Sequence, residues 1–342
     1  MHRAFCASVG AAVLLVSCRG TETRESGAAP SASYFDNKGH PDAWTGGARK
    51  ITISTPKGPH QVWIKRVGNN PELKLLLLTG GPGFSHAYLE VMDSFLPAEG
   101  VEYYHYDQLE TGESDRPDDP DLWTLSRYVD EVDQVRRAIG GTKGNFCLLG
   151  HSWGGMLAME YALAHQDQLK CLVISNMMAS IPAYNAYATK VLEPKMDPAV
   201  LKQILAMEAS GKTEHPAYMA LLGPHWYEQH ILRRPLAQWP EPVTRDIPKM
   251  NRRFYVAMQG PSEMGASGRL ANWDRFADLK RIQVPTLVVS GKYDTMDPAY
   301  MAAMAKQLPH GELAATNGGH MDMYDDQPTY FAKLIAFLRK FR

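Results

Sequence analysis

Cysteine is scarce in this chain: four residues in 342, at Cys6, Cys18, Cys147 and Cys171, with no CxxC pair. A zinc site or a dithiol redox motif therefore has no support. An excess of one charge is missing too. Lys+Arg number 36 and Asp+Glu 37, a formal net charge of -1, whereas a nucleic-acid binder usually carries a basic excess. No internal repeat is visible. The apolar run Val9 to Val16 falls well short of the roughly 20 residues that span a bilayer. What is present is ordinary: 44% hydrophobic and 21% charged residues, close to a globular average. The length is ample for a sizeable core and fits about two domains or one large one.

The N-terminus reads as a targeting segment. His2 and Arg3 precede the apolar run, as in a signal peptide spanning residues 1–17. Leu15-Val16-Ser17-Cys18 resembles a bacterial lipoprotein box, in which Cys18 becomes the lipidated first residue. A plain secretory signal, with Cys18 incidental, is the alternative. Residues 18–45 open with a Gly-, Ser-, Thr- and Ala-rich run and read as a flexible tether. Arg19 rather than Asp follows Cys18, which points to an outer-membrane lipoprotein facing the periplasm or the cell surface. The membrane would then be met only through the lipid. Cys147 and Cys171 lie inside apolar runs and read as buried free thiols, with a disulfide open to them in an oxidising compartment.

Beyond the tether, strand-like and helix-like stretches alternate. Ile51–Ser54 and Gln61–Ile64 alternate apolar and polar residues, as half-buried antiparallel strands do. Leu75–Leu78, Tyr103–Tyr106, Phe146–Leu149, Cys171–Ile174 and Thr286–Val289 are short buried-strand runs, and Glu312–Ala315 is strand-like. Helix-like stretches such as Ser126–Ile139 and Gly155–Ala164 lie between several of them. The pattern predicts an α/β fold with a mostly parallel, doubly wound sheet. Residues 46–180 and 275–342 would form this core. Residues 181–274 lack strand-like runs and read as helices with breaks at Pro216, Pro224, Pro235, Pro240, Pro242 and Pro248, an inserted helical cap.

The sharpest local signal is Gly150-His151-Ser152-Trp153-Gly154, a G-x-S-x-G between the strand-like Phe146–Leu149 and a helix-like stretch. That is the context of a nucleophile elbow, a tight turn that exposes a serine hydroxyl. A serine at its ordinary pKa needs a base, and the base needs an orienting acid, in the chain order Ser, Asp or Glu, His. Six histidines follow Ser152: His165, His215, His225, His230, His310 and His320. His320 follows Asn317-Gly318-Gly319 in a loop after the last strand-like run, where α/β sheets present functional groups. For the acid, Asp294 sits just past the strand-like run ending at Val289. Its rival Asp297 precedes Pro298 and suits a helix N-cap. Two amides must hold the oxyanion, and Gly81 in Thr79-Gly80-Gly81-Pro82-Gly83 and Trp153 are the best donors. A phosphate loop is disfavoured, since no Gly-Lys-Ser/Thr follows these glycines.

Taken in order, Gly80-Gly81-Pro82-Gly83, Asp107-Gln108 with Gly112, Ser114 and Asp115, Gly150–Gly155, Gly260-Pro261-Ser262-Glu263, Gly291-Lys292-Tyr293-Asp294 and Gly319-His320 resemble the proline iminopeptidases. The resemblance runs from about Ile51 to Leu338. It implies the α/β-hydrolase fold with a helical cap, a Ser152–Asp294–His320 triad and an oxyanion hole from Gly81 and Trp153. It also implies that Glu263 binds the substrate's free amino group. Three positions depart from the family pattern: Thr79 stands where His is usual, Glu110 where Gly is usual, and Thr295 where a second carboxylate often follows the catalytic Asp. They leave room for relatives that cleave other amino-acyl amides.

The expected activity is that of a serine hydrolase releasing the N-terminal residue, proline among the options, from short peptides or amino-acyl amides through an acyl-enzyme. No metal, cofactor or nucleic acid is implied. An esterase, lactonase or amidase on the same scaffold is the nearest alternative. A non-catalytic peptide-binding lipoprotein is the alternative from another class. Epoxide and haloalkane hydrolases use an Asp nucleophile, against which Ser152 argues.

Overall fold

The computed structural model describes residues 47–342. The segments expected to be a signal peptide and a tether, with Cys18 between them, lie outside the described residues. Eight strands form one sheet: β1 (Ala48–Thr55), β2 (Gly58–Val67), β3 (Lys74–Leu78), β4 (Glu102–Tyr106), β5 (Phe146–His151), β6 (Cys171–Ser175), β7 (Thr286–Gly291) and β8 (Gly311–Thr316). Their spatial order is β1-β2-β4-β3-β5-β6-β7-β8. β1 and β2 pair antiparallel, as do β2 and β4; every pair from β4 to β8 is parallel.

The central strands are apolar throughout because both faces of the sheet are covered. Leu76, Leu78, Leu148, Leu172, Ile174 and Val288 pack on one face. Leu75, Leu77, Leu149, Val173, Leu287 and Val289 pack on the other. The helices that cover them include α1 (Leu125–Ala138) and α2 (Trp153–His165). Thr124 caps α1 by accepting from the Arg127 amide.

Between β6 and β7 the chain leaves the sheet and builds α3 (Ile181–Tyr187), α4 (Pro198–Ala209), α5 (Pro216–Leu222), α6 (Glu241–Asp246) and α7 (Arg252–Met258). The two ends of this excursion are tied together. Ser180 and Asp274 form an isolated antiparallel bridge, the Ile181 amide donates to Trp273 O at 2.8 Å and the Arg275 amide to Ala179 O at 2.7 Å. Leu192, Ile204, Tyr218, Leu222 and Trp226 give the excursion an apolar cluster of its own. Pro216 and Pro242 open helices rather than break them, because the first turn needs no proline N–H. After β7 come α8 (Pro298–Gln307), α9 (Asp322–Asp325) and α10 (Gln327–Leu338).

One expectation is corrected. Cys147 and Cys171 are not free thiols but form a disulfide, with Cα atoms 4.7 Å apart. They face each other directly in the register of β5 and β6, so pairing brings two interior thiols within bonding reach.

Candidate active site

The C-terminal ends of β5, β7 and β8 converge, which is where a parallel sheet leaves backbone free to carry side chains. At the end of β5, Ser152 occupies φ 56°, ψ -126°, a conformation few L-residues adopt. Such a turn costs about 1–3 kcal/mol and persists only if its surroundings enforce it. Here the Ser152 amide donates to Ser175 O at 3.0 Å, and the Ser152 carbonyl accepts from Gly155 at 2.7 Å. α2 then starts at Trp153, whose amide belongs to the first helical turn and has no intrahelical acceptor.

His320 lies in the loop after β8, 4% exposed. Its Nδ1 is 2.8 Å from Asp294 Oδ1. Its Nε2 is buried and has no hydrogen-bond partner among the described residues. Ser152 and His320 line the same cavity, of about 480 Å³. Asp294 is fully buried after β7, and its other oxygen accepts from Asn176 Nδ2 at 2.9 Å. Burial alone would raise its carboxyl. The charge and hydrogen bond of His320, with bonds from Asn176 and the Met296 amide, outweigh burial and hold it below its ordinary value. For His320 burial opposes charge, yet Asp294 and then Glu263 outweigh it and raise the imidazole. Asp297, the rival acid, caps α8 by accepting from the Ala299 amide at 2.9 Å.

Gly81 and Trp153 line a small recess beside Ser152. The neighbouring Gly80 amide is already engaged, donating to Tyr88 Oη at 2.6 Å. Glu263 stands between this recess and the large cavity and lines both. Its carbonyl accepts from Tyr184 Oη at 2.6 Å and Trp226 Nε1 at 3.1 Å, and Tyr255 Oη donates to its carboxylate at 2.6 Å. Burial pushes its carboxyl above the ordinary value, against the pull of His320 and Tyr255.

Several contributors were not singled out from sequence. Tyr88 Oη is 3.0 Å from His151 Nδ1, and His151 Nε2 is 2.8 Å from His320 O. A carbonyl can only accept, so His151 carries its proton on Nε2 and Tyr88 donates to Nδ1. Gly80, Tyr88, His151 and His320 thus form one directed chain. Burial, then the charge of His320, push the His151 imidazole down to about 3, so it stays neutral. His230, in the excursion, accepts the His320 amide on its carbonyl at 2.7 Å. Asn176 also bonds Asp322 at 2.9 Å, and Asp322, fully buried, is pushed up to about 8 by burial and by Asp294. The signal for Asn176 was its place at the C-terminal end of β6, in a left-handed conformation that Asn tolerates. Glu110 adopts φ 79°, the conformation of the glycine usual there, and its carboxylate accepts from the Asp118 amide and Trp123 Nε1. Thr295 is buried, with its hydroxyl 3.3 Å from Asp294 Oδ1.

This sheet and this elbow define a class: the chain belongs to the α/β-hydrolase family, whose pattern it matches over residues 75–327. Within that class it belongs to the proline iminopeptidases. It is 49% identical over 289 residues to the proline iminopeptidase of Flavobacterium johnsoniae, covering 84% of this chain and 97% of the relative. It is 47% identical over 291 residues to that of Chitinophaga pinensis, covering 85% and 97%. The crystal structure of proline iminopeptidase from Mycobacterium smegmatis superposes with a TM-score of 0.74 at 27% identity, covering 85% of this chain and 98% of that one.

Proposed function

We propose that the protein is a serine aminopeptidase that releases an N-terminal residue, proline first among them, from peptides or amino-acyl amides. One convergence carries this reading: Ser152, a His320 Nε2 that has no partner among the described residues and is backed by Asp294, and the Glu263 carboxylate meet at a single cavity. Ser152 Oγ attacks the carbonyl carbon as His320 Nε2 takes its proton. The amides of Gly81 and Trp153 receive the oxyanion. His320 returns the proton to the departing amine and the C–N bond breaks. Water then attacks the acyl-enzyme and gives a proton to His320; the ester bond breaks as His320 hands that proton to Ser152 Oγ, releasing the amino acid and restoring the free enzyme. Glu263 accepts a charge-assisted hydrogen bond from the substrate ammonium, so that only the first bond reaches Ser152.

A panel of amino-acyl p-nitroanilides with N-acetylated controls tests the reading. Cleavage should require the free amine, and Glu263→Gln should lower kcat/KM on free-amino substrates roughly 10- to 100-fold while nearly sparing a simple aryl acetate. Ser152→Ala should lose fluorophosphonate labelling, and His320→Ala should lose on the order of 10⁴ in rate. Efficient cleavage of the N-acetylated set would overturn the aminopeptidase reading.

The protein is further proposed to act in the cell envelope, anchored through Cys18. The Cys147–Cys171 disulfide supports an oxidising compartment. Cys18→Ala should release the protein from membranes; retention without palmitate labelling of the wild type would defeat the idea.

A further inference from the structure

We infer that His230, carried by the helical excursion, is a positioning residue for acyl transfer: it holds the loop of the catalytic acid and the loop of the catalytic base in register with each other. This rests on the Ser152–Asp294–His320 assignment above. One residue makes both contacts. Its Nδ1 is 2.8 Å from the carbonyl oxygen of Tyr293, the residue before Asp294. Its own carbonyl accepts the His320 amide at 2.7 Å. A carbonyl can only accept, so Nδ1 carries the proton. Asp294 Oδ1 and His320 Nδ1 then meet at 2.8 Å. Asp294, His320, His230 and Tyr293 thus close a ring, in which the contact of carboxylate and imidazole is fixed from both ends.

The surroundings brace this residue on every side. His230 lies in wide π-helical turns over Gly223–Ile231, a geometry often kept at functional sites. Beside it the Ile231 carbonyl accepts the Met321 amide at 2.8 Å. The Arg233 amide donates to Asp325 at 3.0 Å, and Asp325 also accepts the Gly319 amide at 2.9 Å. The approach leaves no room for a side chain: a Cβ on Gly319 would lie 2.6 Å from the His230 carbonyl oxygen and 3.1 Å from that of Ile231. The two catalytic loops also touch directly, the Tyr293 amide donating to Gly318 O at 3.0 Å. That bond stops short of both catalytic residues, whereas His230 grips the peptide that enters Asp294 and the amide of His320 itself. The His230 ring packs against Trp226, centroids 5.1 Å apart, and the Trp226 indole N–H donates to Glu263 O at 3.1 Å. One segment therefore braces Glu263 and the triad together. Burial pushes the His230 imidazole below its ordinary value, with Lys195 and Arg233 adding to this against the Tyr293 carbonyl and Asp294. Near neutral pH it thus adds no second cation beside His320 when that ring takes the serine proton.

Two variants read the role. His230→Phe keeps a ring against Trp226 and deletes the Nδ1 donor. His230→Asn returns an N–H donor at the same distance from the backbone. For His230→Phe, kcat per site titrated with a fluorophosphonate should fall about tenfold, on an anilide and an aryl acetate alike, with KM little changed. His230→Asn should recover to within about threefold of wild type. A loosened Asp294 supports the imidazolium of His320 less. The acidic limb of kcat/KM should therefore move to lower pH in the Phe variant and return toward its wild-type place in the Asn variant. A residue that only propped the excursion would lower the melting temperature and leave kcat and the limb unmoved. That outcome, or an Asn variant as slow as the Phe variant, would overturn the inference and leave the triad standing. Wild-type turnover in His320→Ala would overturn both.

Discussion

A buried histidine that never charges can still act by aiming its neighbours. His151 joins the loop of Gly80 and Gly81 to the backbone of His320 through Tyr88, and both ends of that chain touch the proposed reaction. Tyr88→Phe should leave the Gly80 amide and His151 Nδ1 without partners, a stability loss of about 1–3 kcal/mol. We expect kcat to fall about tenfold with KM little changed, and equally on an anilide and an aryl acetate, because the acyl transfer step is common to both. An unchanged kcat would refute this positioning role. The pH profile separates Glu263 from that chain. His320 must be neutral to take the Ser152 proton, so activity falls as pH drops through its raised value, placing the acidic limb of kcat/KM higher than an ordinary imidazole would. Glu263 contributes to that elevation. In Glu263→Gln the limb should therefore move to lower pH, read on an aryl acetate to avoid the binding defect.

At the scale of elements, the elbow exists because β5 and α2 approach β3 more closely than a side chain allows. A Cβ on Gly154 would lie 2.1 Å from the Leu78 carbonyl oxygen and 2.9 Å from that of Thr79. Backbone on both sides cannot yield as a flexible side chain could. Gly154→Ala should push α2 off β3, at a cost of at least about 1–3 kcal/mol, and displace Ser152 with it. Gly144→Ala is the contrast, since its Cβ would meet nothing nearer than 3.7 Å. Urea unfolding should show that change within about 0.5 kcal/mol of wild type. Equal stability of the two variants would argue that the elbow is not held by this contact.

Over the whole molecule, the Cys147–Cys171 bond ties neighbouring central strands across a sequence separation of 24. Closing a loop of that size stabilises by about 3.5 kcal/mol in the chain-entropy account. Denatured but unreduced protein should take up no alkylating reagent at these two positions, as read by peptide mass mapping. The Cys147→Ala, Cys171→Ala double variant should lose about 2–4 kcal/mol in denaturant unfolding. The candidate site stands at the ends of both strands, so activity below the melting transition should survive if the bond serves stability alone.

By itself the sequence determined the sheet and the chemistry-bearing loops. Each strand is a run of five to ten residues, and in β3, β6 and β7 an apolar composition announces the burial, whereas β4 buries Glu102 and His105 and β8 leaves Leu313 exposed. Ser152, Asp294 and His320 were legible as candidates because each follows a strand-like run and sits in a short, constrained turn. Tertiary structure alone decided what those turns lean on. His151 and the His320 carbonyl are 169 residues apart, and Tyr184 and the Glu263 carbonyl 79 apart, so no local pattern couples them. The disulfide likewise depends on strand register, which two apolar runs leave open until they pair. Strand propensity and turn chemistry act over a few residues, and chain order then limits which loops can meet. Hydrogen-bond direction, buried charge and cavity shape arise only when distant segments are packed together.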